Sequence, residues 1–158
     1  MYHRILLAYD GSVEGRLALR EGARLAQICH AEVFLLAVVD LSSGMSIGEA
    51  AVPGLVLAQQ EAFEEVLNEG VRRLTAMGFQ PKAKLGLGDP AEEIAIIARE
   101  IGADLVVVGH RQQGTLARWW RGSVGMRLVN NLDCSLLVGR VEISDDELMM
   151  PQQPAAAS

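Results

Sequence analysis

The chain has 158 residues, 50% of them hydrophobic, enough to fill the core of one domain. Its net charge of −6 argues against general nucleic-acid binding, which needs a basic face. No apolar run reaches the length of a membrane span. The start, Met1-Tyr2-His3-Arg4, enters an apolar strand at once and lacks a signal-peptide layout. Cys29 and Cys134 sit in apolar segments, so the expectation is core thiols, without a disulfide, in a reducing cytoplasm.

Arg4 to Tyr9 reads as a buried strand, ended by Asp10-Gly11-Ser12, where a helix starts. Gly15, Ala18, Gly22, Leu25, Ala26 and Cys29 share one face of that helix. Val33 to Val39 is almost wholly apolar, as expected of a strand covered on both faces. Asp40 to Leu55 holds Gly44, Gly48, Pro53 and Gly54 and reads as a flexible loop. The next helix runs from Val56 to Met77, with Phe63, Val66, Leu67, Gly70, Leu74 and Met77 as its stripe. Its acids lie mostly before its bases, which suits the helix dipole, and Gly78 suits the C-cap.

Lys82 to Leu87 is a third strand in which Ala83, Leu85 and Leu87 alternate with Lys82, Lys84 and Gly86. Lysines at alternate positions fit a sheet edge. Gly88-Asp89-Pro90 then opens a helix, with Asp89 as N-cap, Pro90 at the first position and Glu92 completing a capping box. Ile94, Ile97, Ala98 and Ile101 form its stripe and Gly102 ends it. Leu105 to Gly109 is the clearest buried strand. A polar, basic loop leads to a short helix from Gly122-Ser123 to Asn130-Asn131, and Ser135 to Val138 is the last strand. From Ser144 onward, acids give way to methionines, prolines, glutamines and alanines, which reads as a disordered tail over 144–158 beyond a domain of 1–143.

The order βαβαβαβαβ implies an α/β, doubly wound, five-stranded parallel sheet with helices on both faces. Ligands of such sheets sit beyond the carboxyl ends of the strands, where the strand order reverses. If strands one and four are neighbours there, Asp10-Gly11 and Gly109 converge.

From Leu105 to Leu132 there is no Asp or Glu, while Arg111, Arg118, Arg121 and Arg127 all fall in that stretch. In an acidic chain this suggests a local anion site, against the plainer reading of a solvated face. Gly109 lets a ligand approach the backbone closely. The start of a helix at Gly122-Ser123 offers free N–H groups, and Ser123 adds a hydroxyl. An ordinary strand–loop–helix connection with an N-cap serine explains the same residues.

Tyr9-Asp10-Gly11-Ser12, Gly88-Asp89-Pro90, Ala103-Asp104 before Leu105 to Gly109, and Gly122-Ser123-Val124 together resemble the universal stress protein family over Met1 to Arg140. The resemblance implies strand order 3-2-1-4-5. It also implies a stress-response or signalling module that binds ATP or another adenine nucleotide, with Mg an option, and turns it over slowly if at all. Nucleotide-binding members carry a glycine, two residues, a second glycine, nine residues, then Gly-Ser or Gly-Thr. Gly109, Gly122 and Ser123 match in total spacing, but Gln112 stands at the second glycine. Binding then requires Gln112 to take the glycine's backbone angles or to donate its amide to phosphate. A non-nucleotide interaction module of the same fold is the alternative.

By the same resemblance, Ala8, Tyr9 and Asp10 lie near adenine and ribose, Val38 contacts adenine, and His110 and Arg111 belong to the phosphate loop. Val124 offers a further N–H. The resemblance also implies a homodimer. The uncharged strand Ser135 to Val138 suits that role as an edge paired with a second copy. His3, His30 and His110 lack metal-ligand spacing, and no Walker loop or phospho-receiver pattern is present. No nucleophile–base pair is readable near the loop. Trp119-Trp120 is either an anchor beneath the loop or a partner surface.

Overall fold

The computed structural model describes residues 1–41, 54–110 and 123–149. Strands β1 (Arg4–Ala8), β2 (Glu32–Asp40), β3 (Lys82–Gly88), β4 (Leu105–Gly109) and β5 (Ser135–Gly139) form one sheet in the order β3-β2-β1-β4-β5. All pairings are parallel: Arg4 lies opposite Glu32, Ile5 opposite Leu105, and Leu105 opposite Ser135. The helices are α1 (Val13–Cys29), α2 (Leu55–Ala76), α3 (Pro90–Ile101), α4 (Ser123–Asn131) and α5 (Asp145–Met149). This is the strand order the resemblance implies.

Alternation along each strand divides the core into two layers. Ile5, Leu7, Val33, Leu35, Leu105 and Val107 face α1 and α2. Leu6, Leu36, Val106 and Val108 face α3 and Leu128 of α4. The reading of α1 from its periodicity misses Leu19 and Ala23, both buried, because a helix under a sheet buries a stripe wider than one residue per turn.

Local chemistry sets the helix ends. The Ser12 hydroxyl accepts the Gly15 N–H at 2.9 Å and starts α1. Asp89 accepts the Glu92 N–H at 3.1 Å, with Pro90 at the first position of α3. The Glu92 carboxylate, expected to complete a capping box, instead bonds Arg127 across to α4 at 2.7 Å. Gly102, at φ +64°, ends α3 in the left-handed conformation.

Both edges of the sheet are as the residue patterns suggest. On β3, Lys82 pairs with Glu32 and Lys84 with Glu100. The alternation on β3 is only partly realised, since Ala83 is exposed and Leu87 is 45% exposed. An edge strand has a neighbour on one side only, so its last residues are less covered. The opposite edge, β5, carries no charged residue. Cys29 and Cys134 are free thiols, both half-buried.

The expectation of a disordered tail from residue 144 is corrected at its start. Ser144 and Glu147 cap α5 reciprocally: Glu147 accepts the Ser144 N–H at 2.9 Å, and Ser144 Oγ accepts the Glu147 N–H at 3.3 Å. Arg20 binds Asp145 at 2.6 Å and the Ile143 carbonyl at 2.8 Å, and Leu148 is buried. The low-complexity composition hid a capping box followed by an apolar anchor.

Candidate functional site

The strand order reverses at β1, whose chain continues into β2 on one side while β4 lies on the other. Parallel registration of Leu7 with Val107 carries Asp10 and His110 to the same end of the sheet. The conditional expectation that Asp10-Gly11 and Gly109 converge is thereby met.

Gly109 packs against the first turn of α1. A Cβ there would lie 2.8 Å from the Glu14 carbonyl oxygen and 2.9 Å from the Gly15 nitrogen. Gly15 is equally constrained, because its Cβ would meet Asp10 Oδ1 at 2.4 Å. Helix α1 therefore needs these glycines whatever else approaches. Asp10 Oδ1 accepts the Ser12 N–H at 3.0 Å and the Ser12 hydroxyl at 2.5 Å, orienting the N-cap. Asp10 thus supports the start of α1 indirectly, through Ser12.

Tyr9 follows β1 at the carboxyl edge of the sheet. Its side chain turns to the α1/α2 layer and is 4% exposed. Its phenol donates to Glu69, whose carboxylate also holds Arg73 at 2.6 Å and Arg16 at 3.1 Å. Burial, then the bond to anionic Glu69, pushes the Tyr9 pKa up. Burial also pushes Glu69 up, but the Tyr9 hydroxyl and the two arginines outweigh it and hold Glu69 below the usual carboxylate range. At the edge itself, the Tyr9 backbone N–H donates to the Leu36 carbonyl at 2.8 Å. Spacing on α2 signals only the Glu69–Arg73 pair; Tyr9 is 60 residues away in the chain, so no local pattern announces it.

Ala8 and Val38 both lie on the other face, half-buried beside the α3/α4 layer. Gly86 is level with Val38, and a Cβ on it would touch Val38 at 3.4 Å and Glu93 at 3.0 Å. Ala8 and Val38 leave a small, half-buried apolar shelf on this face, beside which Gly86 is buried against Glu93. His110 lies on the opposite flank with Glu14, Leu17, Gly139 and Arg140 around a crevice. Ser123 and Val124 open α4, whose first turn has no acid. Arg111, Gln112, Gly122, Trp119 and Trp120, like Gly44, Gly48 and Pro53, lie outside the described residues.

One cation of the acid-free stretch is committed elsewhere. Arg127 bonds Asp89 at 3.4 Å and Glu92 at 2.7 Å. A segment without acids in sequence faces acids supplied by another helix.

Asp104 holds the far end of the sheet. It accepts the backbone N–H groups of His3 at 2.7 Å and Arg4 at 3.0 Å. Partial burial pushes its pKa up, but these bonds prevail and lower it. Among the described residues, no three of His, Cys, Asp and Glu converge as a metal-binding group, and no helix is long and apolar enough to cross a membrane.

Known proteins match this chain in sequence and in fold. Residues 1–140 match the universal stress protein family. Universal stress protein MJ0531 of Methanocaldococcus jannaschii is 29% identical over 139 residues, covering 87% of this chain and 82% of that protein. A solved protein of the family from Burkholderia pseudomallei superposes with TM-score 0.68 at 33% identity, over 87% of this chain and 95% of the other. A universal stress protein in complex with cAMP shares the fold at TM-score 0.65 and 22% identity, over 87% of this chain and 96% of the other. With its strand order, its Asp10–Gly109 convergence and a family match over residues 1–140, the chain belongs to the universal stress protein family.

Proposed function

We propose that the carboxyl edge of β1 and β4 holds an adenine nucleotide, and that the protein acts as a cytoplasmic stress-response or signalling module by binding it rather than turning it over. The observation that carries this reading is the meeting of Asp10 with Gly109 and His110 where the strand order reverses, the usual ligand position of such sheets. The cAMP held by a protein of the same fold supports an adenine-type ligand by analogy of fold.

The described residues fit such a ligand. The shelf of Ala8 and Val38 is apolar and half-buried, the surface an adenine ring would cover. The Asp10 carboxylate accepts from a ribose hydroxyl or serves as one ligand to Mg²⁺, which phosphate sites bind through one or two carboxylates. The acid-free start of α4 at Ser123 and Val124 presents N–H groups to phosphate, with Gly109, His110, Arg111, Gln112 and Gly122 completing the loop. A bound nucleotide brings a phosphate chain whose negative charge these groups would neutralise. The β5 edge, Ser135 to Val138, pairs with a second copy to form a homodimer.

Gln112 favours one other reading, a dimeric interaction module that binds no nucleotide. Equilibrium binding of labelled ATP to the apo protein separates the two: saturation at or below millimolar ATP is expected, and its absence would sink the nucleotide reading. Light scattering at micromolar protein should return twice the chain mass; a monomer removes the dimer.

A further inference from the structure

Helix α4 is weakly seated for an element that opens the phosphate side of the site. Among its described side chains, Met126–Asn131, only Leu128 is fully buried, whereas Met126 is 65% and Val129 54% exposed. The helix packs chiefly on α3 and reaches the core beneath the sheet through Leu128. Two arginines clasp this pair of helices. Near the carboxyl end of α4, Arg99 bonds the Asn131 carbonyl at 3.2 Å and Asp133 at 3.0 Å. One turn in from its start, Arg127 spans Asp89 at 3.4 Å and Glu92 at 2.7 Å. Asp89 also caps α3 and follows directly on β3, so the Arg127 clasp refers α4 to the sheet's carboxyl edge. An apolar contact through a single leucine sets distance but leaves sliding and rotation soft. A guanidinium fork on two carboxylates is directional and fixes both.

We infer that Arg127 is a positioning residue for the nucleotide site: it makes no contact with the ligand but sets the register of the α4 start, and with it Ser123, against the shelf on β1 and β2. This rests on the nucleotide reading above. It predicts a selective defect, because losing the clasp displaces the phosphate-facing helix and leaves the adenine-facing strands in place.

The test is calorimetric titration of ATP and, separately, adenosine into wild type, Arg127→Ala, Arg127→Glu and the exchanged pair Arg127→Glu with Glu92→Arg. Glu92 is exposed, and the exchanged pair restores the attraction, so it also guards against misfolding of the single variants. Arg127→Ala and Arg127→Glu should weaken ATP about tenfold, within the range found for members of one ion-pair network, and leave adenosine within about twofold. The exchanged pair restores the contact to position 92 but leaves a carboxylate facing Asp89, so it should recover part of the ATP affinity lost in Arg127→Glu. Wild-type binding with unchanged ATP affinity in Arg127→Ala overturns the inference while leaving the site intact. Equal loss of ATP and adenosine also overturns it, as does failure of the exchanged pair to recover. Absence of ATP and adenosine binding in wild type overturns the nucleotide reading itself, and the positioning role with it.

Discussion

The two helix layers are attached to the sheet by different physics. On the α1/α2 side, backbone and side chains interlock around glycines. A Cβ on Gly22 would lie 2.4 Å from Leu7, one on Gly70 2.8 Å from Leu35, and one on Gly139 2.6 Å from the Ala18 Cα. The Tyr9–Glu69–Arg16–Arg73 cluster then ties β1, α1 and α2 together at the carboxyl edge. On the other side, α3 buries Ala91, Ile94, Ile97 and Ala98, while α4 rides on α3 through Leu128 and arginine clasps. Close packing spreads the hold of the first layer over many redundant contacts, whereas the second layer depends on a few directional ion pairs, so losing one releases the helix. The tight layer fixes the Asp10 turn; the looser one carries the start of α4. The proposed nucleotide site would combine a close-packed platform for one end of a ligand with a helix held by a few ionic contacts for the other.

The sharpest way to break this contrast is to overfill the tight layer. Gly139→Ala places a methyl against α1 backbone and should cost about 3 kcal/mol in urea denaturation, the upper range for overpacking. Val129→Ala on the loose layer should stay within about 0.5 kcal/mol. Equal costs would erase the distinction. Leu148→Ala comes next, at about 2 kcal/mol, because α5 is anchored on the α1 side by that buried side chain. A neutral result would detach α5 from the tight layer. Tyr9→Phe removes the phenol but leaves Glu69 on Arg16 and Arg73, so about 1 kcal/mol is expected from the same measurement.

The smallest effect is with pH. Glu69 and Asp104 both have lowered folded pKa values, so each contributes stability above its unfolded pKa of about 4 and loses it as pH falls through the lowered value. Denaturation midpoints should therefore drop on acidification below about pH 4, and Asp104→Asn should flatten part of that fall. A midpoint that is flat in wild type, or a slope unaltered in Asp104→Asn, would remove Asp104 from the account.

The residue pattern alone determined the parallel α/β class and the ends of most elements, while the strand order came with the family resemblance. Apolar runs such as Leu105 to Val108, stripes such as Ile94, Ile97 and Ala98, and caps such as Asp89-Pro90 act within a few residues of themselves, and that range is what periodicity and capping rules read. The end of β4 at Gly109 and the start of α4 at Ser123 were legible in the same way. Orientation and pairing across the chain were not. That the Tyr9 side chain turns toward Glu69, that Arg127 faces Asp89 and Glu92, and that Ser144 to Leu148 folds back on α1 all depend on residues brought together from 35 to 125 positions apart. Charge and burial act through space, so only the packed chain decides which arginine meets a carboxylate and which face of a strand a tyrosine takes.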